Sequence, residues 1–440
     1  MAKRKNMNFD VIVIGAGLSG LIAAARARAR GRTVLVLARG QGMTALTSGC
    51  IDLLGYLPGA AAYCLTDVAG GLHRLATASP DHPYNKIGLD MIQESVAYWL
   101  QIMQTMNYPY FGSGFAPGGQ PGMMNYLLPT ALGSVRPTAL APVTMAGGDI
   151  RDEADTLVVG WPDLSDWHPR LLADNINELR GRLGLRGIWS SILLDNAADA
   201  ASELSPVMMG SYLERGQHLA VLIDNIRSAL SPGIGRVALP AVLGINAGAG
   251  LFRQLSKQLG LPVFEIPAGQ PTATGLRLSQ LLLSFLKQAG VGLRFNVSVL
   301  QAERADGVWQ VMVDRPGRVD ILTCASLVLA TGGLIGRGLE ADRTSIRECV
   351  VGLPVAGCDL PVLEPQAADN AGWSQDPFAM AGVVVDEWMR PVACGGSKEY
   401  ERLYVTGSTL AGYDPAVEKD GLGVALATGY VAGHAAGGDA

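Results

Sequence analysis

The sequence predicts an α/β fold: a parallel-sheet domain split along the chain, with a second α/β domain inserted between its halves. Three observations predict it. An apolar strand, a glycine turn, an alanine-rich helix and a second strand follow one another over residues 9–37. Two later apolar strands, in "ASLVLATGG" and "RLYVTG", also run straight into glycine. The middle of the chain interposes its own mixture of strands and helices. The expected divisions are residues 1–75 and 266–440 for the two parts of the first domain, and 76–265 for the insertion.

Residues 9–14 form an uninterrupted apolar run, as a strand covered on both faces does. The helix 18–30 follows and stops at Gly31, and 33–37 is the next strand. Residues 41–72 are rich in glycine and turn residues and read as loops with little regular structure. A helix is expected at 91–106. "YPYFGSGFAPGGQPG" after it holds too much glycine and proline for one. Tyr108, Tyr110, Phe111 and Phe115 there either line a pocket or partner surface or simply pack a loop. The insertion shows a strand at 156–160, helices at 168–183 and 216–230, and "PAVLGI" as strand or turn. "RLSQLLLSFLKQAG" reads as a helix with its apolar face at 278, 281, 282, 285 and 286. Strands follow at 292–297, 308–314, 319–323, 326–330 and 402–406, and "DGLGVALATGYVAGHAA" closes as a small-residue helix. No tandem repeat is present.

Composition excludes several classes. Hydrophobic residues make up 49% and charged residues 17%, which argues for a large interior and against a disordered chain. The net charge of -5 offers no basic field for nucleic acid, and the short "KRK" at residues 3–5 reads as a solvated tail. No apolar run reaches the roughly 18–20 residues that span a bilayer. The first residues read as strand, turn and helix rather than as a secretory leader, so a cytoplasmic location is expected. The six cysteines contain no CxxC and the five histidines are scattered, so no metal site is expected.

The motif Gly15-Ala-Gly17-Leu-Ser-Gly20 lies between strand and helix, where such a motif binds phosphate. Gly15 permits the tight turn, Gly17 lets phosphate approach and Gly20 allows close helix packing. The helix start then presents unpaired N–H groups to an anion. Together with the second strand, this predicts an FAD/NAD(P)-binding Rossmann-like, three-layer flavoprotein fold. The second strand should end in a carboxylate to hold an adenosine ribose, but it ends in Ala38 and Arg39. A mononucleotide flavin, FMN, has no such ribose, and Arg39 can pair with its phosphate. FAD remains the alternative, NADP a competitor, and Arg39 on a plain surface a further reading.

Gly332 and Gly407 end strands and bring backbone toward the cofactor. Ser48, Gly49 and Cys50 are candidates for the flavin ring, their N–H groups steadying negative charge. Gly421 and Gly423 open a helix whose positive end faces the same ring. Asp420 either caps that helix or touches cofactor, and Asp414 with Lys419 reads as a solvated pair. His82 is an exposed loop histidine to consider as a base. Arg136, Arg277 and Arg343 each suit an anionic substrate, and nothing in the chain ranks them. The catalytic base remains unknown.

"FDVIVIGAGLSGL", "VLVLARGQGMTALTSGCIDLLGYLP", "LVLATGGLIGRG" and "LYVTGSTLAGYDPAVEKDGLGVALATG" closely resemble the B subunits of bacterial anaerobic glycerol-3-phosphate dehydrogenases. The resemblance extends over nearly the whole chain, and "ARGQG…TSGCIDLL" is its most specific part. It implies a flavoprotein subunit, described as using FMN, of a heterotrimeric quinone-linked enzyme of glycerol catabolism. The reaction implied is sn-glycerol 3-phosphate to dihydroxyacetone phosphate, with electrons passed to menaquinone in anaerobic respiration on fumarate or nitrate. The implied partners are an FAD-containing A subunit and an iron–sulfur C subunit that anchors the complex at the cytoplasmic side of the inner membrane. Membrane contact is then indirect, through those partners. Two other readings stay open: a self-sufficient FAD-dependent oxidoreductase acting on another metabolite, and a non-catalytic assembly subunit that keeps the fold.

Overall fold

The computed structural model describes residues 8–59, 64–113, 121–164, 166–194, 204–215, 217–246, 248–270, 272–315, 317–343, 345–357, 377–392 and 400–438. The "KRK" tract, Phe115, Cys358 and Cys394 lie outside them. The larger sheet has seven strands. Asn8–Ile14 sits between Val34–Leu37 and Arg318–Leu329, parallel to both, and Gly292–Arg294 extends the sheet parallel to Val34–Leu37. Val11, Ile12 and Val13 are fully buried, which is why this strand shows no polar alternation.

Arg318–Leu329 is one strand of 12 residues where the sequence suggests two. Thr323 and Cys324 pair with Asn8 and Phe9 on one side and with Gln310 and Trp309 on the other. Two ladders therefore share these residues, and no break falls between them. The first half of the strand belongs to an antiparallel meander with Val308–Arg315 and Ser298–Ala305; the far end pairs with Leu403–Val405 in parallel. The helix start also shifts: Pro83–Thr105 begins before residue 91, interrupted at Gly88, where φ is 77°. Within the expected loop region, Met43–Leu46 forms a 3-10 turn and Val68–Ala78 a helix capped by the Asp67 carboxylate.

A second core gathers around a four-stranded parallel sheet in the order Val263–Ile266, Arg236–Pro240, Thr156–Gly160, Trp189–Leu193. Trp161, Trp167, Trp189 and Phe264 fill it. "PAVLGI" contributes its proline to the end of a strand and otherwise forms the turn after it. The helix Pro83–Thr105, although it lies in the span allotted to the insertion, supplies Trp99, Ile102 and Met103 to the first core. Among the described residues no helix is long and apolar enough to cross a membrane.

The helices Leu18–Ala29 and Gly421–Gly437 meet through small residues spaced one turn apart. A Cβ added to Gly429 would lie 2.5 Å from the Ser19 carbonyl oxygen; one added to Gly433 would lie 2.3 Å from that of Ala23. One added to Gly437 would lie 3.2 Å from the Ala27 Cα. Because the obstacles at Gly433 are backbone, no rotamer change relieves them. Gly433→Ala is therefore expected to lower stability by about 1–3 kcal/mol, the usual overpacking cost. A urea unfolding midpoint unchanged from that of the native protein would refute this packing account.

Candidate functional site

The ends of the central strands open onto a crevice of about 1370 Å³. Its floor is the glycine turn. Gly15 has φ +117°, and a Cβ there would lie 2.0 Å from the Ala330 carbonyl oxygen; at Gly20 it would lie 2.2 Å from that of Gly15. At Gly17 nothing lies within 4 Å of such an atom, so this glycine faces open crevice. The helix Leu18–Ala29 starts here with no side-chain cap, leaving its first turn to meet an anion from the crevice. These features fit the phosphate end of a flavin nucleotide.

Of the expected site residues, Gly15, Gly17, Arg39, Ser48, Gly332 and Gly421 line the crevice. Gly20 and Gly407 act through packing beneath it. A Cβ on Gly407 would lie 2.4 Å from Ser19 Oγ. Gly49 and Gly423 also face protein, against Thr274 and against the Tyr84 hydroxyl with the Asp52 carbonyl. The N–H groups of Gly49 and Cys50 are already donated to Thr47 Oγ1 and Ser48 Oγ, which removes them as donors to a bound ring. Cys50 is buried beside Met145, and burial pushes its thiol up to about 12, which favours the neutral thiol.

Arg39 donates across the crevice mouth to the carbonyls of Gly336 (3.2 Å) and Arg337 (3.4 Å). It thus ties the second strand's end to the loop after the "ATGG" strand while remaining at the lining. Arg39→Ala is expected to weaken flavin retention about tenfold or more if the guanidinium also meets phosphate. Unchanged flavin content on dialysis would leave it the loop-fastening role alone.

The structure ranks the three anion candidates. Arg277 is fully buried and committed: it donates to Glu265 (2.7 Å), the Tyr108 hydroxyl (2.9 Å) and the Gly244 carbonyl (2.6 Å). It joins helix Ala273–Gln288 to the insertion and is not available to substrate. Tyr108 and Tyr110 are buried with it, Tyr110 donating to the Gly49 carbonyl, so these two pack a loop rather than line a pocket; Phe111 is exposed. Arg343 is exposed in the turn between two short strands, off the crevice. Arg136 lines the crevice and is bonded through Nε (2.8 Å) and Nη2 to Asp52 Oδ2.

His82 overturns its expected exposure: it is fully buried, its Nε2 3.0 Å from Asp420 Oδ2 and 3.1 Å from Glu418 Oε2. Asp420 consequently makes no capping hydrogen bond with its side chain. Asp414 is buried too, accepting from the N–H groups of Ala416 and Val417, so the solvated pair with Lys419 does not form. Among the described residues, His82, Glu418 and Asp420 are also spaced to hold a metal ion. The ring argues otherwise. Its Nδ1 accepts the Tyr84 N–H at 3.0 Å, so the ring hydrogen is on Nε2, the atom a metal would need. Burial lowers and the two carboxylates raise the pKa of His82, the carboxylates prevailing, but a second ring proton breaks the bond to Tyr84. Burial also raises Asp420 to about 6, against the pull of His82. The cluster is a hydrogen-bonded brace under the terminal helix. Residues some 338 positions apart build it, and no local pattern announces it.

A family model described as an FAD binding domain matches residues 10–424. The chain is 32% identical over 439 residues to a probable B subunit of anaerobic glycerol-3-phosphate dehydrogenase from Halobacterium salinarum, covering 97% of each protein. It is 28% identical to the B subunit of the anaerobic glycerol-3-phosphate dehydrogenase of Pasteurella multocida, covering 98% of this chain and 100% of that one. Among solved structures, a 3-ketosteroid-delta4-(5alpha)-dehydrogenase from Rhodococcus jostii RHA1 aligns at 13% identity with a TM-score of 0.41, covering 100% of this chain and 99% of that one. The family description specifies FAD and does not support the FMN expected from Ala38. Ala38 lines the crevice together with Val297–Leu300 and Val350, so the missing carboxylate alone does not set the size of the flavin nucleotide it holds. The chain belongs to the FAD-binding flavoprotein family, among the B subunits of anaerobic glycerol-3-phosphate dehydrogenases.

Proposed function

We propose that this chain is a flavin-carrying subunit of a quinone-linked glycerol-3-phosphate dehydrogenase and that its flavin is FAD. The observation that carries the reading is end-to-end relatedness to proteins so named, 32% identical across 97% of both chains. The flavin, when bound, supplies the acceptor for the electron pair of the oxidised alcohol. In this reading Gly17 and the start of Leu18–Ala29 hold the pyrophosphate. The adenosine lies toward Arg39 and Val297–Leu300, and the ring toward Ser48 and Gly421. The reaction proposed is sn-glycerol 3-phosphate to dihydroxyacetone phosphate, with electrons passing to menaquinone during anaerobic respiration. The relatives are named as parts of a larger enzyme, which supports an assembly. The proposed partners are an FAD-containing A subunit and an iron–sulfur C subunit, the latter holding the complex to the inner membrane's cytoplasmic face.

The test is to copurify the chain with coexpressed partners, release the flavin and weigh it. FAD assigned to this chain, with reduction of a menaquinone analogue driven by sn-glycerol 3-phosphate, is the expected result. A colourless chain, or FMN alone, would sink the cofactor assignment. A coloured complex inert toward this substrate would sink the activity.

A further inference from the structure

The geometry points to a subsite for an alcohol phosphomonoester in the crevice wall, built from Asp52, Arg136 and Lys419. It rests on the functional reading above and gives that substrate a place to bind.

All three residues line the crevice, and the same short segment holds them. Asp52 binds Arg136, which arrives on the strand Val135–Thr138. The Asp52 carbonyl accepts the N–H of Gly423, while Gly55 and Tyr56 donate to the Glu418 carbonyl at 2.8 and 3.1 Å. A Cβ on Gly55 would lie 2.9 Å from both the Lys419 Cβ and the Pro137 Cγ, so Lys419 and the arginine's strand stand on either side of this glycine.

Lys419 has a backbone that lysine seldom adopts, φ 53° and ψ 50°. The turn explains the conformation. Glu418 and Asp420, on either side, send their carboxylates inward to His82, and the left-handed residue between them is left at the exposed crevice wall. Lys419 has no ion pair among the described residues. Of the acids nearby, Asp414 is committed to its helix cap and Glu418 with Asp420 to His82. Asp52 is different. Its Oδ2 takes Arg136, while its Oδ1 is buried with no hydrogen-bond partner. A buried carboxylate oxygen needs a donor. An alcohol phosphomonoester supplies both complements: phosphate oxygens for the guanidinium and ammonium, and a hydroxyl for Asp52 Oδ1.

The experiment uses the complete chain with its partner subunits. Lys419→Asn keeps a residue that tolerates the left-handed backbone but removes the charge, and Lys419→Arg restores it. Expected for K419N is an increase of about tenfold or more in KM for sn-glycerol 3-phosphate. Little change is expected in kcat or melting temperature, and K419R should recover most of the loss. Inorganic phosphate as a competitive inhibitor should weaken in parallel. Its protection of the protein against heat reads the subsite without turnover. Propyl phosphate, lacking hydroxyls, should bind native protein about tenfold more weakly than sn-glycerol 3-phosphate. Arg343→Ala is the control. Unchanged KM and unchanged phosphate binding in K419N would overturn the subsite while leaving the activity intact. Phosphate protection lost in K419N, with native protein inert toward sn-glycerol 3-phosphate, would keep the subsite and reject the functional reading.

Discussion

Gly15→Ala is expected to yield a chain that neither retains flavin nor reaches native stability. The methyl group would sit 2.0 Å from the Ala330 carbonyl oxygen, on a backbone whose φ of +117° already excludes ordinary side chains. Neither neighbour can retreat. Gly15 N–H is bonded to the Leu37 carbonyl at 2.8 Å, and Ala330 N–H to that of Ile14 at 2.9 Å, so three parallel strands converge on this point. Gly17→Ala separates fold from ligand, because its methyl group enters open crevice. That variant should unfold at the native denaturant concentration when flavin-free, yet bind flavin more weakly. Equal flavin content in both variants and the native protein would remove the glycine turn from the binding site.

His82→Leu is expected to cost about 3–5 kcal/mol near pH 7, the usual penalty for stripping one partner from a buried ionic group. Leucine removes the ring donor that Glu418 Oε2 and Asp420 Oδ2 share, and it leaves the Tyr84 N–H without its acceptor. The pH dependence follows from Asp420. Its pKa is raised from 3.8 to about 6 on folding, so between those values the native state holds the extra proton. Stability from this group is complete below the unfolded pKa and is lost as pH rises through about 6. Without His82 to favour the charged form, the folded pKa rises further. Acidification from pH 7 to 5 should then stabilise the variant more than the native protein in parallel urea titrations. A variant as stable as native at pH 7 would show that the cluster is not the brace described.

The first βαβ unit is legible in the sequence because its signals are local: an apolar run, glycines at fixed spacing, and alanines without β-branching. The terminal strand and helix are legible for the same reason. The strands Trp189–Leu193 and Val263–Ile266 are not, being short and, in the second case, buried throughout, with no alternation to read. Arg277 invites a substrate role because nothing in its neighbourhood reveals Glu265 and Tyr108 closing over it. Ala38 does lack the expected carboxylate, but the step from there to a shorter cofactor assumes that one side chain sets the length of a crevice. Val297–Leu300 and Val350 also line it, distant segments whose approach only tertiary structure reveals.

The interlocked glycines and alanines of the two helices also order events in time. Residues 18–29 leave the ribosome long before 421–437, so the early helix has its complementary surface only when translation is nearly finished. Gly421, Leu422 and Ala425, which line the crevice, are missing until then. Cofactor capture is therefore expected late in biogenesis, and nascent chains stalled before residue 421 should emerge uncoloured.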